Sequence, residues 1–208
     1  MIYTDKLNLL EAWDDAHDFQ WNHVNTDTDT EVNFVYNIRQ LSMTISFQGS
    51  GSFMDWWQNF RTGKEPYKEM KEKFKVHRGF IKKYHSVRDK VHEKAEKALK
   101  DGYSIKIRGF SQGAALSVLA HEDIFFNYGV EADTIVFGCP RVFTTENSKV
   151  LEDRLKKILI VTSTRDLVTK VPFSWLGFRH YGEIKEFKGM YAFFRIVSNH
   201  FSYPKLVK

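Results

Sequence analysis

Gly109-Phe110-Ser111-Gln112-Gly113 sets a serine between two glycines. The residues before it, Tyr103-Ser104-Ile105-Lys106-Ile107-Arg108, alternate in polarity as a strand does. Those after it carry Ala114, Leu116, Val118, Leu119, Ile124 and Phe125 and read as an apolar helix ending near Gly129. A sharp strand-to-helix turn pushes a serine hydroxyl clear of the sheet, and small residues on both sides let the neighbouring backbone pass. Free N–H groups at the helix start would then face a developing oxyanion. A serine nucleophile needs a base, and the base needs a carboxylate to orient it. Asp166 lies just past the apolar run Ile158-Leu159-Ile160-Val161-Thr162, at the carboxyl end of an expected strand, where sheets of this kind hold their sites. Two histidines follow it. His180 lies inside an aromatic, strand-like run, and His200 in the loop before Tyr203-Pro204. Loop placement favours His200.

These residues need a scaffold. Residues 5–20 read as an amphipathic helix bearing Leu9, Leu10, Trp13, Ala16 and Phe19. Val32–Tyr36 and Leu41–Phe47 form an expected hairpin around Asn37-Ile38-Arg39-Gln40. Residues 64–75 are the most charged stretch, contain Pro66, and read as a solvated connection. From Arg78 to Leu99 one face of a long helix carries Phe80, Ile81, Tyr84, Val87, Val91, Ala95 and Leu99, and Asp101-Gly102 ends it. Thr134-Ile135-Val136-Phe137 and residues 158–162 are continuous apolar runs, as strands covered on both faces require. Helices alternating with such strands predict an α/β fold with a mostly parallel central sheet flanked by helices.

Composition narrows the function. The 208 residues fit one domain spanning 1–208. With 42% apolar and 27% charged residues, the chain is neither disordered nor a membrane protein, and no window reaches the length of a spanning segment. The net charge of +5 is mild, and Lys64 to Lys75 interleaves bases with acids, so no nucleic acid partner is expected. His17, His23, His77, His85 and His92 lack metal-type spacing, so no metal is expected, and no cofactor either. Cys139 reads as a structural thiol. The start Met1-Ile2-Tyr3-Thr4-Asp5-Lys6 has no signal-peptide pattern, so a cytoplasmic location is the default expectation; leaderless release or a phage origin are the alternatives.

The motifs taken together resemble the class 3 lipases, α/β-hydrolases that include the fungal triacylglycerol lipases. Thr44–Ser50 with Asp55-Trp56 is similar to the family's "FRG[ST]…W" block, and Val76-His77-Arg78-Gly79-Phe80 to its "VHxGF". Ile107–Leu116 matches the nucleophile elbow, and Phe137-Gly138-Cys139-Pro140-Arg141-Val142 matches "FGxPRV". Asp166-Leu167-Val168 with Pro172 looks like the acid motif, Phe178–Gly182 like a structural "HxG" strand, and His200-Phe201-Ser202-Tyr203 like "HxxY". The ordered set covers about residues 30–205. The resemblance implies an α/β-hydrolase fold and a triad of Ser111, Asp166 and His200, with His180 structural. It also implies an oxyanion hole built from the backbone N–H groups of Ser50 and Gln112. The chain departs from the family at Phe110, Gln112 and Ala114 around the nucleophile, at Gln48, and at Asn59.

The implied activity is hydrolysis of carboxylic esters, with lipids as the substrate class and lipase or esterase as the enzyme type. A short-chain carboxylesterase, an acyl thioesterase, or a non-catalytic lipid-binding module of the same fold are the competing readings. Phe53, Met54, Trp56, Trp57 and Phe60 crowd into eight positions after Ser50. One helical turn buries only part of such a set, so the five read either as core or, as the resemblance to fungal lipases implies, as a lid hinged at Gly51 and Gly63 that makes transient contact with a lipid interface.

Overall fold

The structure, a computed structural model, describes residues 6–17, 20, 22–49, 63–68, 74–146, 148–189 and 199–207. Ser50 and the expected lid, residues 53–60, lie outside them, as do Gly51 and Asn59.

The amphipathic start of the chain is helix α1 (Lys6–Asp15), shorter than its apolar pattern suggests. A short strand β1 (His23–Asn25) precedes the expected hairpin, β2 (Thr30–Asn37) and β3 (Ser42–Phe47). The crossover back to the sheet runs through α2 (Arg78–Lys100) to β6 (Ser104–Phe110), after the short strands β4 (Lys64–Pro66) and β5 (Lys75–His77). Helix α3 (Gln112–Tyr128) leads to β7 (Asp133–Phe137) and then to β8 (Phe143–Thr144). Helix α4 (Ser148–Leu155) precedes β9 (Leu159–Ser163), and β10 (Phe178–Arg179), β11 (Glu183–Phe187) and α5 (Tyr203–Val207) complete the order.

The main sheet runs β1-β2-β3-β6-β7-β9-β11. Strands β1, β2 and β3 pair antiparallel, and every pairing from β3 to β11 is parallel. Phe47 stands beside Gly109, Phe110 beside Phe137, and Phe137 beside Val161, so the carboxyl ends of the central strands line up. Alternate side chains of these strands serve two cores. Ile105, Ile107, Val136 and Ile160 pack with α2 and α3 on one face. Phe110, Ile135, Phe137, Leu159 and Val161 pack with Leu9, Ala12 and Trp13 of α1 and with Tyr203 on the other.

A second sheet, β10-β8-β5-β4, sits where the chain leaves β7 and enters α2. It corrects the reading of residues 64–75 as a solvated connection. Lys64–Pro66 and Lys75–His77 pair antiparallel, with Pro66 on the edge strand, where its missing N–H costs nothing. Tyr67 and Phe74 are buried and stack at 5.0 Å between ring centroids. The charges around these two rings masked their role. Strand β11 was also unforeseen. It is the sheet's edge, exposed and rich in charge, so it lacks the apolar run that marks β7 and β9.

Helix α3 is buried almost all round, as its central place behind the sheet requires, yet three of its buried residues are ionisable. Asp123 accepts from Arg88 at 2.7 and 3.0 Å, Tyr84 at 2.8 Å and the His92 ring at 2.8 Å. Burial alone would raise its carboxyl, but these hydrogen bonds prevail and hold it down to about 2. Glu122 pairs with Arg154 at 2.9 Å. His121 lies against the Thr134 hydroxyl at 2.8 Å, and burial pushes its imidazole down to about 4. It is therefore neutral in the folded chain and gains a proton on unfolding at any pH between about 4 and the ordinary value of 6.5. Its contribution to stability is complete above pH 6.5 and is lost as pH falls through that window, by up to ~3 kcal/mol. His121→Gln, which does not titrate, should flatten the fall in melting temperature between pH 6.5 and 4. Parallel melting curves in variant and wild type would refute this.

Candidate active site

Ser111 is the single residue between β6 and α3, with φ 57° and ψ −121°. A side chain in this region costs roughly 1–3 kcal/mol, which the surroundings must impose. The two glycines show how. A Cβ at Gly113 would run into the Phe47 carbonyl of β3, and one at Gly109 would collide with Gly113 and the Ser117 hydroxyl. That hydroxyl lies 2.7 Å from the Arg108 carbonyl and 2.9 Å from that of Gly113, tying the helix to the strand it leaves. Ser111 is 7% exposed, and its N–H donates to the Phe137 carbonyl at 3.0 Å. Gln112 is the first residue of α3, where backbone N–H groups have no intrahelical acceptor. Ser50 is not described. A Cβ at the preceding Gly49, however, would lie 3.8 Å from that of Ser111, so the described end of this segment runs beside the serine.

Asp166 and His200 meet. The His200 Nδ1 lies 2.8 Å from Asp166 Oδ2, and both side chains are buried. Asp166 is held on every side. Val168 N–H donates to Oδ1 at 2.9 Å, and the Tyr203 hydroxyl donates to Oδ2 at 2.6 Å. The Asp166 N–H donates to the Ser163 carbonyl, and its own carbonyl accepts from the Thr169 hydroxyl. Gly138, one residue past the Phe137 that accepts from Ser111, makes room for the pair. A Cβ there would stand 2.8 Å from His200 Cε1 and 3.2 Å from Asp166 Oδ2. Phe110, next to Ser111, stacks on the His200 ring at 4.6 Å. The histidine–aspartate pair thus lies past the carboxyl ends of β7 and β9, and Phe110, the neighbour of Ser111, links it to the turn after β6.

His180 goes elsewhere. Its Nε2 lies 2.9 Å from the Thr169 carbonyl, and burial lowers its imidazole to about 4. Cys139 is buried, which raises its thiol far above the usual range. Two contributors escaped the sequence reading as residues with a function. Tyr203 was noted only as a motif letter, although its place three residues after His200 in a short apolar segment was the available signal. Gly138 belongs to a strand-end motif, and its φ of 57° together with the close approach of the imidazole explains why that position cannot bear a side chain. Among the described residues, no three His, Cys, Asp or Glu side chains are grouped to hold a metal ion.

A serine on a strained strand-to-helix turn, beside a buried imidazole–carboxylate pair at the carboxyl edge of a largely parallel sheet, defines an α/β-hydrolase. Solved structures share the fold. Lipase II from Rhizopus niveus superimposes with a TM-score of 0.72 at 23% identity, over 79% of this chain and 64% of that one. The Rhizomucor miehei lipase–propeptide complex gives 0.71 at 22% identity, over 80% and 55%. The profile of the class 3 lipase family matches residues 44–175, and the chain belongs to that family. Phospholipase A(1) DAD1, a chloroplastic protein of Arabidopsis thaliana, is 31% identical over 171 residues. The alignment takes in 73% of this chain but spans only 38% of that relative's length.

The Tyr203 contact can be tested directly. Removing a hydroxyl that donates to a buried carboxylate should cost about 1.5–3 kcal/mol. Tyr203→Phe should therefore lower the melting temperature by several degrees and loosen the His200–Asp166 pair. An unchanged melting temperature would show that the hydroxyl contributes nothing there.

Proposed function

We propose that this chain is a serine hydrolase that cleaves the carboxylic ester bonds of lipids. One observation carries the reading: the buried 2.8 Å contact between His200 Nδ1 and Asp166 Oδ2, adjoining Ser111 on its strained turn. Family membership and the name of the Arabidopsis relative make phospholipids and acylglycerols the favoured substrates.

In the proposed mechanism the Ser111 Oγ attacks the ester carbonyl while His200 Nε2 takes its proton. Asp166 fixes the imidazole tautomer and stabilises the imidazolium that forms. The tetrahedral oxyanion is received by backbone N–H groups of Gln112 and Ser50, each such donor typically contributing ~3–4 kcal/mol to the transition state. The imidazolium protonates the departing alcohol, leaving an acyl group on Ser111. A water deprotonated by His200 then attacks the acyl carbon, and the fatty acid leaves as Ser111 regains its proton. Residues 53–60 are proposed to cover this site and to open at a lipid interface. Trp57→Ala should then reduce turnover of emulsified ester while sparing a soluble one.

Hydrolysis of a soluble p-nitrophenyl ester tests the assignment of roles. Ser111→Ala should lower kcat by roughly six orders of magnitude. Ser111→Ala/His200→Ala should be no worse, because residues acting as one unit are not additive. His180→Ala should lower thermal stability and keep most of its turnover. Full activity in Ser111→Ala would overturn the proposal, as would loss of turnover in well-folded His180→Ala but not in His200→Ala.

A further inference from the structure

Four consecutive residues, 173–176, are exposed, and three of them are large and apolar: Phe173, Trp175 and Leu176. Trp175 is 76% exposed. The Phe173 and Trp175 rings stack on each other, 4.2 Å between centroids and 9° from parallel, and so present a flat aromatic surface. This is not a slack loop. Ser174–Leu176 form a 3-10 turn closed by Leu176 N–H to the Phe173 carbonyl and Gly177 N–H to the Ser174 carbonyl. Gly177, at φ 78°, turns the chain into β10, and its carbonyl accepts from Thr145 N–H. On the other side, Arg141 donates to the carbonyls of Lys170 and Pro172, and its N–H to that of Val171. A backbone fastened this firmly could have turned its rings inward, yet it holds them out to solvent.

Position adds a second argument. The turn lies on the segment that joins the Asp166 loop to β10 of the second sheet, so the chain that carries it also carries the acid. Phe201 is a further half-exposed ring beside the site, 5.2 Å from Phe110 and 5.4 Å from His200. The surrounding charge is mainly basic. Lys64 sits over the Phe178 ring close to Gly177, and Arg141 gives its guanidinium to carbonyl oxygens. Lys170 and Arg179 flank the turn and pair at the surface with Glu186 and Glu152, while Arg78 lies beside Glu65. Aromatic and aliphatic side chains with Lys64 beside them and Lys170 and Arg179 at either end suit the boundary of a lipid layer, where rings settle at the headgroup level and cations meet anionic lipid.

We infer that the Phe173-Trp175-Leu176 turn is a fixed anchor that docks this protein on an anionic lipid surface. The inference deepens the lipid-hydrolase reading by naming the surface that faces the lipid. It is distinct from the expected lid, because the turn is fastened to the second sheet through Gly177 and Thr145 and is exposed as it stands.

Binding can be measured apart from catalysis. Sedimentation with vesicles of equal parts phosphatidylcholine and phosphatidylglycerol should be run in the Ser111→Ala background, so that hydrolysis does not alter the lipid. Trp175→Ala should weaken partitioning roughly ten-fold or more, given the area of an indole. Phe173→Ala/Leu176→Ala should act similarly, and Trp175→Phe should retain most of the binding. Lys64→Ala should weaken binding to these vesicles but not to pure phosphatidylcholine. With Ser111 intact, Trp175→Ala should leave turnover of a soluble short-chain ester within about two-fold, well inside the effect expected on partitioning. Undiminished partitioning of Trp175→Ala would overturn the anchor while leaving the hydrolase reading intact. So would a wild-type dimer that Trp175→Ala dissociates, since a second copy would then cover the turn. Loss of soluble-ester turnover equal to the loss of binding would instead make Trp175 part of the substrate cleft. Vesicle binding that depends on Trp175 in a chain without any ester hydrolysis would uphold the anchor and overturn the proposed activity alone.

Discussion

Between the Phe47 carbonyl at the end of β3 and the first turn of α3 there is no room for a side-chain carbon. The same holds between Gly109 and Gly113. These two close approaches force the chain from strand to helix over one residue, and that residue, Ser111, takes the strain at φ 57°. Everything else about the site follows from where this turn lies. It brings the helix start, with its unpaired N–H groups, to the sheet edge. It also points Phe110 to the opposite face, where the ring becomes a platform for His200. A single added methyl at either glycine would push α3 off the sheet and relax the serine with it.

The proposed acid–base pair depends on the second, smaller core. Trp13 of α1 packs on Phe110 and Phe137 and lies near Tyr203, which is the residue that donates to Asp166. Helix α1 thus supports chemistry to which it contributes no reacting group. Packing and polarity are coupled here. The carboxylate can be wholly buried because Val168, Tyr203 and His200 meet its oxygens, and the apolar wall keeps competing water away. The exposed aromatic turn at residues 173–176 is the part of the second sheet's border proposed to meet the lipid.

Much of this was legible in the residues. The parallel strands announced themselves as apolar runs, the long helix as a stripe from Phe80 to Ala95, and the elbow as a serine between glycines. The choice of His200 over His180 rested on loop placement and on the family resemblance, and it agrees with the contact to Asp166. Most of the strands that were missed are too short or too exposed to show a pattern. Strands β1, β4, β5 and β8 span two or three residues each, and β11 is a charged edge strand, so no period of two stands out. The Tyr203 hydroxyl and the space at Gly138 are properties of three-dimensional approach between segments far apart in the chain, and no local pattern encodes them. The exposed stack of Phe173 on Trp175 was hidden for a similar reason: an aromatic residue in a sequence is read as core until a structure shows it facing water.

The account stands on Ser111 being activated by its neighbours rather than being one serine among many. Labelling with a fluorophosphonate, followed by peptide mass spectrometry, tests this without assuming any substrate. A single adduct on Ser111, absent from the same peptide of His200→Ala after equal exposure, is the expected result. An adduct on another serine, or equal labelling of Ser111 with and without His200, would contradict it.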